Sequence, residues 1–404
     1  MGGRAMRILE AAQVWTPLAA LCPGWVRVRG ERIVALGEGP PPGPAERVGT
    51  ILCPGFVDIH LHGGFGHDLP EGAAALAAVA AGLVRHGCTT YLPTTVTAPW
   101  PETLRAVRDF AAAVDSPPPG ARPAGIHLEG PFLNPRRPGM QSVGAMLVPD
   151  LAAAQSLDAA AGGSVRTVTL APELPGGLEL ARFWARRGVA VSMAHSDATY
   201  DEAVAAVAAG VSRVTHCFNA MSPLHHRAPG LVGAALDLEG LRAEAIADGV
   251  HLHPAMLRLL WRVKGWAAVC LVSDAMAGAG APDGHYPFGG TLVEVRDGRA
   301  RLPDGTLAGS VLTLDRAVRM AVEAGIPPRE AVGMASLTPA EAVGLRDAGR
   351  IAPGARADLV ALDPGLRPVW TMVGGRVCWD EPPAGQTAPG PGSTVTSRPS
   401  PAAW

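Results

Sequence analysis

The sequence predicts an α/β fold: a (β/α)8 TIM-type barrel with a small β-sandwich domain built from both chain ends. Three observations lead there. From about residue 55 onward, eight short β-rich runs alternate with Ala-rich helical segments. Five of those runs stop at a histidine or a carboxylate and then break into loop residues. Short alternating strands stand before the first run and return after the last.

Residues 1–53 read as strands and turns, with alternation over Arg7–Val14 and Trp25–Leu36 and a Pro/Gly-rich stretch at Gly37–Pro44. The barrel strands are expected at Gly55–His60, Thr89–Leu92, Gly125–Glu129, Val165–Leu170, Ala190–His195, Arg213–His216, Ala243–Ala247 and Val269–Ser273. Helical segments such as Ala73–His86, Pro101–Val114, Leu151–Ala161, Tyr200–Ala209 and Pro254–Val263 lie between them. This alternation suits a closed parallel barrel or an open doubly wound sheet. Asp297-Gly298 between alternating flanks signals a hairpin, read as an insertion near 291–302. The expected division is a small β domain from 1–53 and 353–380, a barrel from 54–352, and a Pro/Gly/Ser/Thr-rich disordered tail from 381–404.

Composition narrows the function. A chain of 404 residues, 48% hydrophobic and 17% charged, can bury one large core with an accessory domain. A net charge of -2 without a basic arm argues against a nucleic-acid partner. The six cysteines lack C-x-x-C spacing and read as free thiols of a cytoplasmic protein. No leader pattern and no apolar run of membrane-spanning length is present, so neither secretion nor a membrane partner is expected.

The strand ends carry the chemistry. His60 and His62 are two apart on a strand and so face one side. Glu129, His195, His216 and Asp274 end four other runs. Each alone is equally compatible with a hydrogen-bonded core histidine or a helix-capping aspartate. Together they favour the barrel over the open sheet, because a barrel gathers its C-terminal strand ends at one mouth. Imidazole and carboxylate donors without sulfur suit Zn²⁺, Fe²⁺, Mn²⁺ or Co²⁺. Six donors are too many for one tetrahedral ion and suit two ions with a bridging carboxylate. The single lysine, Lys264, lies in a helical stretch, so Glu129 is the natural bridge and a Schiff-base aldolase is disfavoured.

These stretches resemble the amidohydrolase superfamily and, within it, the N-acetylglucosamine-6-phosphate deacetylase family. The resemblance rests on P-G-F-V-D-I-H-L-H-G, H-L-E-G-P-F-L-N-P, A-H-S-D-A-T, V-T-H-C-F-N-A-M-S-P, A-I-A-D-G-V-H-L-H-P, S-D-A-M-A-G-A-G and L-A-G-S-V-L-T-L-D-R-A-V, in order from about 50 to 365. It implies hydrolysis of the acetamide of N-acetylglucosamine 6-phosphate to glucosamine 6-phosphate and acetate. It implies Glu129, His195 and His216 as ligands of the principal metal, with His60 and His62 adding a second; some members lack this pair and use one ion. It assigns Asn219, Ala220, Arg227 and His251 to the sugar phosphate, with the phosphate site completed by the neighbouring subunit of a homodimer. The backbone of Leu307, Ala308 and Gly309 is expected at the sugar. Gln141 stands where some members carry a histidine, and is expected as a substrate contact only.

Asp274, at the last strand, is the expected general base and acid. It takes a proton from metal-activated water and passes it to the leaving nitrogen, which cannot depart as an anion. Two rivals remain at this level: an amidohydrolase acting on a different N-acyl sugar or a cyclic amide, and a non-catalytic barrel.

Overall fold

The computed structural model describes residues 6–381, so all but the first residue of the 381–404 tail lies outside it. Eight parallel strands organise the centre: β1 (Phe56–Leu61), β2 (Cys88–Pro93), β3 (Ile126–Glu129), β4 (Val165–Leu170), β5 (Ala190–Met193), β6 (Val211–Val214), β7 (Arg242–Ala245) and β8 (Val269–Leu271). Strands β3 to β8 form one six-stranded parallel sheet in sequence order. β1 pairs with β2, which pairs with the short strand Arg122–Pro123. Single parallel bridges join the two sheets at Thr94–His127 and at Leu61–Ala275.

β1, β2 and β3 are buried at every residue, as expected of parallel strands covered on both faces. The covering helices alternate with them: α1 (Ala73–Leu83), α2 (Trp100–Asp115), α3 (Leu151–Ala161), α4 (Gly177–Ala185), α5 (Tyr200–Ala208), α6 (Gly230–Asp237) and α7 (Pro254–Lys264). Local chemistry sets their starts. Asp150 accepts the N–H of Ala153 at 2.7 Å ahead of α3, and Thr199 with Glu202 forms a capping box ahead of α5. The helices then bury an apolar face, of mostly small residues in α3 (Ala154, Leu157 and Ala161) and of larger ones in α4 (Leu180, Phe183 and Trp184). After β8 come α8 (Leu314–Glu323), α9 (Pro328–Met334) and α10 (Leu337–Ala342).

Strands from residues 6–54 and 359–380 meet in one eight-stranded sheet. Leu359–Leu362 runs antiparallel to Glu46–Pro54, with Leu359 opposite Pro54. Leu9, Val26, Ile33, Leu52, Leu359, Trp370 and Met372 form its core. The expected run Trp25–Leu36 is two strands, Gly24–Arg29 and Arg32–Glu38, because Gly30 turns the chain at φ 58°.

Four of the expected strand ends fall short. β7 stops at Ala245, short of the expected Ala247. β5, β6 and β8 stop before His195, His216 and Asp274. These residues have φ of 46°, 32° and 48°, outside the extended region, so they cannot continue a strand. The left-handed turn instead re-aims each side chain at the strand's C-terminal end. Among the described residues, five of the eight non-glycine residues with positive φ (His195, His216, Phe218, Ala220 and Asp274) belong to these three turns.

A separate antiparallel sheet, Gly284–Phe288, Thr291–Arg296 and Arg299–Arg301, follows β8. Its Phe288, Val293, Val295 and Ala300 pack with Met276, Val96 and Ala308.

Candidate metal centre and substrate cavity

Six side chains from five strand ends converge in two groups of three: His60, His62 and Asp274, and Glu129, His195 and His216. All six are buried. Glu129 faces both groups. Its Oε1 lies 3.2 Å from His216 Nε2 and 3.4 Å from His195 Nε2, while its Oε2 lies 3.4 Å from His62 Nε2. Asp274 Oδ1 lies 3.2 Å from His62 Nε2 and 3.4 Å from His60 Nε2.

Imidazole nitrogens also face one another, His60 Nε2 to His62 Nε2 and His195 Nε2 to His216 Nε2, each at 3.1 Å. Two such lone pairs repel unless a proton or a cation stands between them. Titration leads the same way. Burial alone would lift the Glu129 carboxyl, but the His60 charge and hydrogen bonds from His195 and His216 outweigh it and hold Glu129 well below its usual range. Burial also opposes Asp274, yet His60 and His62 bring it down to about 2. Burial disfavours a charged His60, but Asp274, Glu129 and Glu244 raise it to about 10. The carboxylates around His60 thus favour positive charge in the cavity despite its burial. That potential, with nitrogen and oxygen donors only, fits divalent cations.

Behind the donors lies a polar interior. His127 Nε2 sits 2.8 Å from Thr169 Oγ1, which meets Thr215 Oγ1 at 2.8 Å. Burial, then the neighbouring His60, holds His127 well below the usual histidine value, so it stays neutral. Its ring packs edge-on to His60 at 4.7 Å, as a neighbour of the donors.

A cavity of about 220 Å³ opens over the donors. Asn219, Ala220, His251, Gln141, Leu307 and Gly309 line it beside His62, Glu129, His195, His216 and Asp274. His251 Nδ1 is held by Asp248 Oδ2 at 2.7 Å. Gly309 has φ 60°, and a Cβ there would meet the Asp274 carbonyl oxygen at 3.0 Å, so only glycine seats this loop comfortably.

Two expected residues stand apart. Arg227 is absent from the lining: it is exposed, and its guanidinium lies 2.7 Å from Nε2 of the equally exposed His226. The Pro223–Ala228 loop runs outward, so one chain does not bring Arg227 to the donors. Ala308 is fully buried against the Phe288 cluster and does not face the cavity, since its neighbours Leu307 and Gly309 do.

Gln141 has a different setting from the one expected. Its Nε2 donates to Glu129 Oε2 at 2.5 Å, and its Oε1 accepts the Thr97 N–H at 2.8 Å. It grips the carboxylate that faces both donor groups as well as lining the cavity.

Sequence reasoning missed Glu244, Arg213 and Phe288. Glu244 and Arg213 are charged residues inside apolar strands, which is itself a signal when both strand faces are covered. The Phe288 ring lies tilted, 5.1 Å from the His62 ring, and comes from the antiparallel insertion, whose position over the mouth has no local signature.

The chain belongs to the amidohydrolase family, whose sequence profile matches residues 51–378. That family is metal-dependent, in keeping with the two donor groups. Within it, the chain is similar to deacetylases of N-acetylated amino-sugar 6-phosphates. It is 38% identical to the N-acetylgalactosamine-6-phosphate deacetylase of Escherichia coli O157:H7, over 89% of this chain and 96% of that one. It is also 38% identical to the N-acetylglucosamine-6-phosphate deacetylase of Homo sapiens, over 84% and 86% of the two chains. Among solved structures, it resembles an aspartate-to-alanine variant of N-acetyl-D-glucosamine-6-phosphate deacetylase from Mycobacterium smegmatis in complex with N-acetyl-D-glucosamine-6-phosphate. The TM-score is 0.89 at 38% identity, covering 93% of this chain and all of the other. The Thermotoga maritima N-acetylglucosamine-6-phosphate deacetylase follows with a TM-score of 0.85 at 33% identity.

Proposed function

We propose that this chain hydrolyses N-acetylglucosamine 6-phosphate to glucosamine 6-phosphate and acetate. The observation that carries the reading is the shared carboxylate Glu129 between two histidine-containing donor groups, with Asp274 at the edge of the cavity, in a chain whose relatives deacetylate this class of substrate. Glu129, His195 and His216 hold the principal ion, and His60, His62 and Asp274 hold a second; zinc or iron suits the donors best, manganese or cobalt next. Divalent ions held there polarise an amide carbonyl and make water acidic. Asp274, held ionised by His60 and His62, accepts the proton of the attacking water and returns it to the departing nitrogen. Asn219, Ala220, His251 and the Leu307–Gly309 backbone orient the sugar, and Gln141 keeps Glu129 in register.

Further proposals accompany this. The parallel sheets are two arcs of one closed (β/α)8 barrel spanning 54–352, a reading supported by the bridges Thr94–His127 and Leu61–Ala275. The terminal strands, 1–53 and 353–380, fold as a separate small β-sandwich around their own core, supported by the cluster of Leu9, Leu52 and Trp370. The enzyme is a cytoplasmic homodimer in which Arg227 reaches the partner's phosphate pocket. Its exposed position and the six free cysteines support this. No helix among the described residues is long and apolar enough to cross a membrane.

The test is acetate release from N-acetylglucosamine 6-phosphate by metal-loaded protein, beside the unphosphorylated sugar. Equal kcat/KM for the two would remove the phosphate specificity. The Escherichia coli relative favours a second reading, the galactosamine epimer, and the same assay with N-acetylgalactosamine 6-phosphate decides between them.

A further inference from the structure

Glu244 is buried on β7, 1% exposed, and nothing in the hydrolysis described above uses it. Its Oε2 lies 3.0 Å from Nδ1 of His60 and accepts the backbone N–H of His216 at 3.3 Å. Its Oε1 pairs with the guanidinium of Arg213 on β6, which also donates to Thr167 Oγ1 at 2.7 Å. Arg213 is equally buried. An ionised carboxylate only accepts, so the contact between Glu244 and His60 requires a proton on Nδ1. In neutral imidazole the lone pair then belongs to Nε2. That nitrogen is the one facing His62, Asp274 and Glu129.

We propose that the buried Arg213–Glu244 pair is the positioning device of the second ion site. Glu244 fixes His60 with its proton on Nδ1 and aims Nε2 into the His60–His62–Asp274 group; Arg213 balances the carboxylate's charge where water cannot. The inference rests on the two-ion reading above. Outer carboxylates of this kind set both the tautomer and the basicity of a ligating histidine. The contact with the principal site differs in kind. Glu244 touches only the main-chain N–H of His216 and aims none of that site's donor atoms. Loss of Glu244 therefore falls selectively on the second ion.

Removing one partner of a buried ion pair strands the other, whereas replacing both with apolar side chains is tolerated. The main variant is therefore the double change Arg213→Met with Glu244→Leu; Glu244→Gln, which keeps an acceptor oxygen, is set beside it, with His60→Gln as the reference for a lost second site. Metal-depleted proteins are titrated with Zn²⁺ by calorimetry, and ion content per chain is measured after dialysis. Wild type is expected to bind two ions. The double variant keeps the first ion at unchanged affinity, and its second dissociation constant rises about 10–100-fold. Glu244→Gln shows a smaller rise, because the amide oxygen still accepts from Nδ1. Two ions held at wild-type affinity by the double variant would overturn the proposal. One ion in wild type would sink the two-ion reading alone. In that case ¹⁵N-histidine spectra decide: an exchange-protected Nδ1–H that vanishes in His60→Gln is expected in wild type and lost in the double variant. The same signal in both would overturn the role of Glu244.

Discussion

Gln141 donates its side-chain amide to Oε2 of Glu129 at 2.5 Å, on the oxygen that faces His62. The Thr97 N–H bonded to Gln141 Oε1 at 2.8 Å fixes which end of the amide meets the carboxylate. The glutamine thus acts as a clamp on the one carboxylate shared by both donor groups.

Replacing Gln141 with alanine frees Glu129 to rotate and strands the buried Thr97 N–H. Metal affinity is expected to fall about 10–100-fold, as for other outer partners of ligands. The metal-free protein should lose about 1–3 kcal/mol of stability for the unpaired amide. Metal titration and denaturant unfolding measure the two effects separately.

Asp274 belongs to the His60–His62 group and not to the Glu129–His195–His216 group. Asp274→Asn should keep the principal ion and lower kcat by about 10²–10⁴, the usual share of general acid–base catalysis. Elemental analysis beside steady-state acetate release checks it; near-normal turnover would exclude Asp274 as the proton carrier.

Arg227 points to solvent within one chain. Arg227→Ala should therefore lower kcat/KM for the phosphorylated substrate about 10–100-fold, the worth of a charge-assisted hydrogen bond, only if a partner subunit uses it. Sedimentation of the wild type must show a dimer at assay concentration. A monomer with a sensitive Arg227 would require the loop to fold inward instead.

Asp315, in the first turn of α8, meets His86 Nδ1 at 3.0 Å and Arg319 at 2.9 Å. Burial would raise its carboxyl, but the bond from His86 and the charges of His86 and Arg319 lower it to about 2. The folded value lies below the unfolded one near 3.9, so the carboxylate stabilises the fold at neutral pH, by about 2 kcal/mol. That contribution is complete above about pH 5 and drains away as pH falls toward 2. Denaturant unfolding of wild type and Asp315→Asn should differ most above about pH 5 and converge toward pH 2.

The strands were legible because period and residue type are local. V-R-T-V-T-L carries the β-branched residues of a strand, and Val165–Leu170 is a strand with the bounds its pattern implies, buried except at Arg166. The ends of β5, β6 and β8 were less legible. His195 and His216 read as the last strand residues and Asp274 as the residue just after one, yet each adopts a left-handed turn; that of Asp274 is held by distant segments, its N–H bonding the His60 carbonyl and Ser310 N–H bonding its own carbonyl. No local propensity anticipates such contacts.

By itself, the sequence determined the kinds of donor and their places along the chain: histidines and carboxylates closing apolar runs, and no strand lysine to bridge them. Chain order and side-chain chemistry are enough for that. Only the tertiary structure decided which donors stand together in each group of three. It turned Glu129 toward both groups and set Glu244 behind His60, 184 residues away. It laid Phe288 over the mouth and left Arg227 outside. Those outcomes depend on which strands become neighbours and how their ends turn, and contacts across so many residues are fixed by packing of the whole core and not by any local stretch.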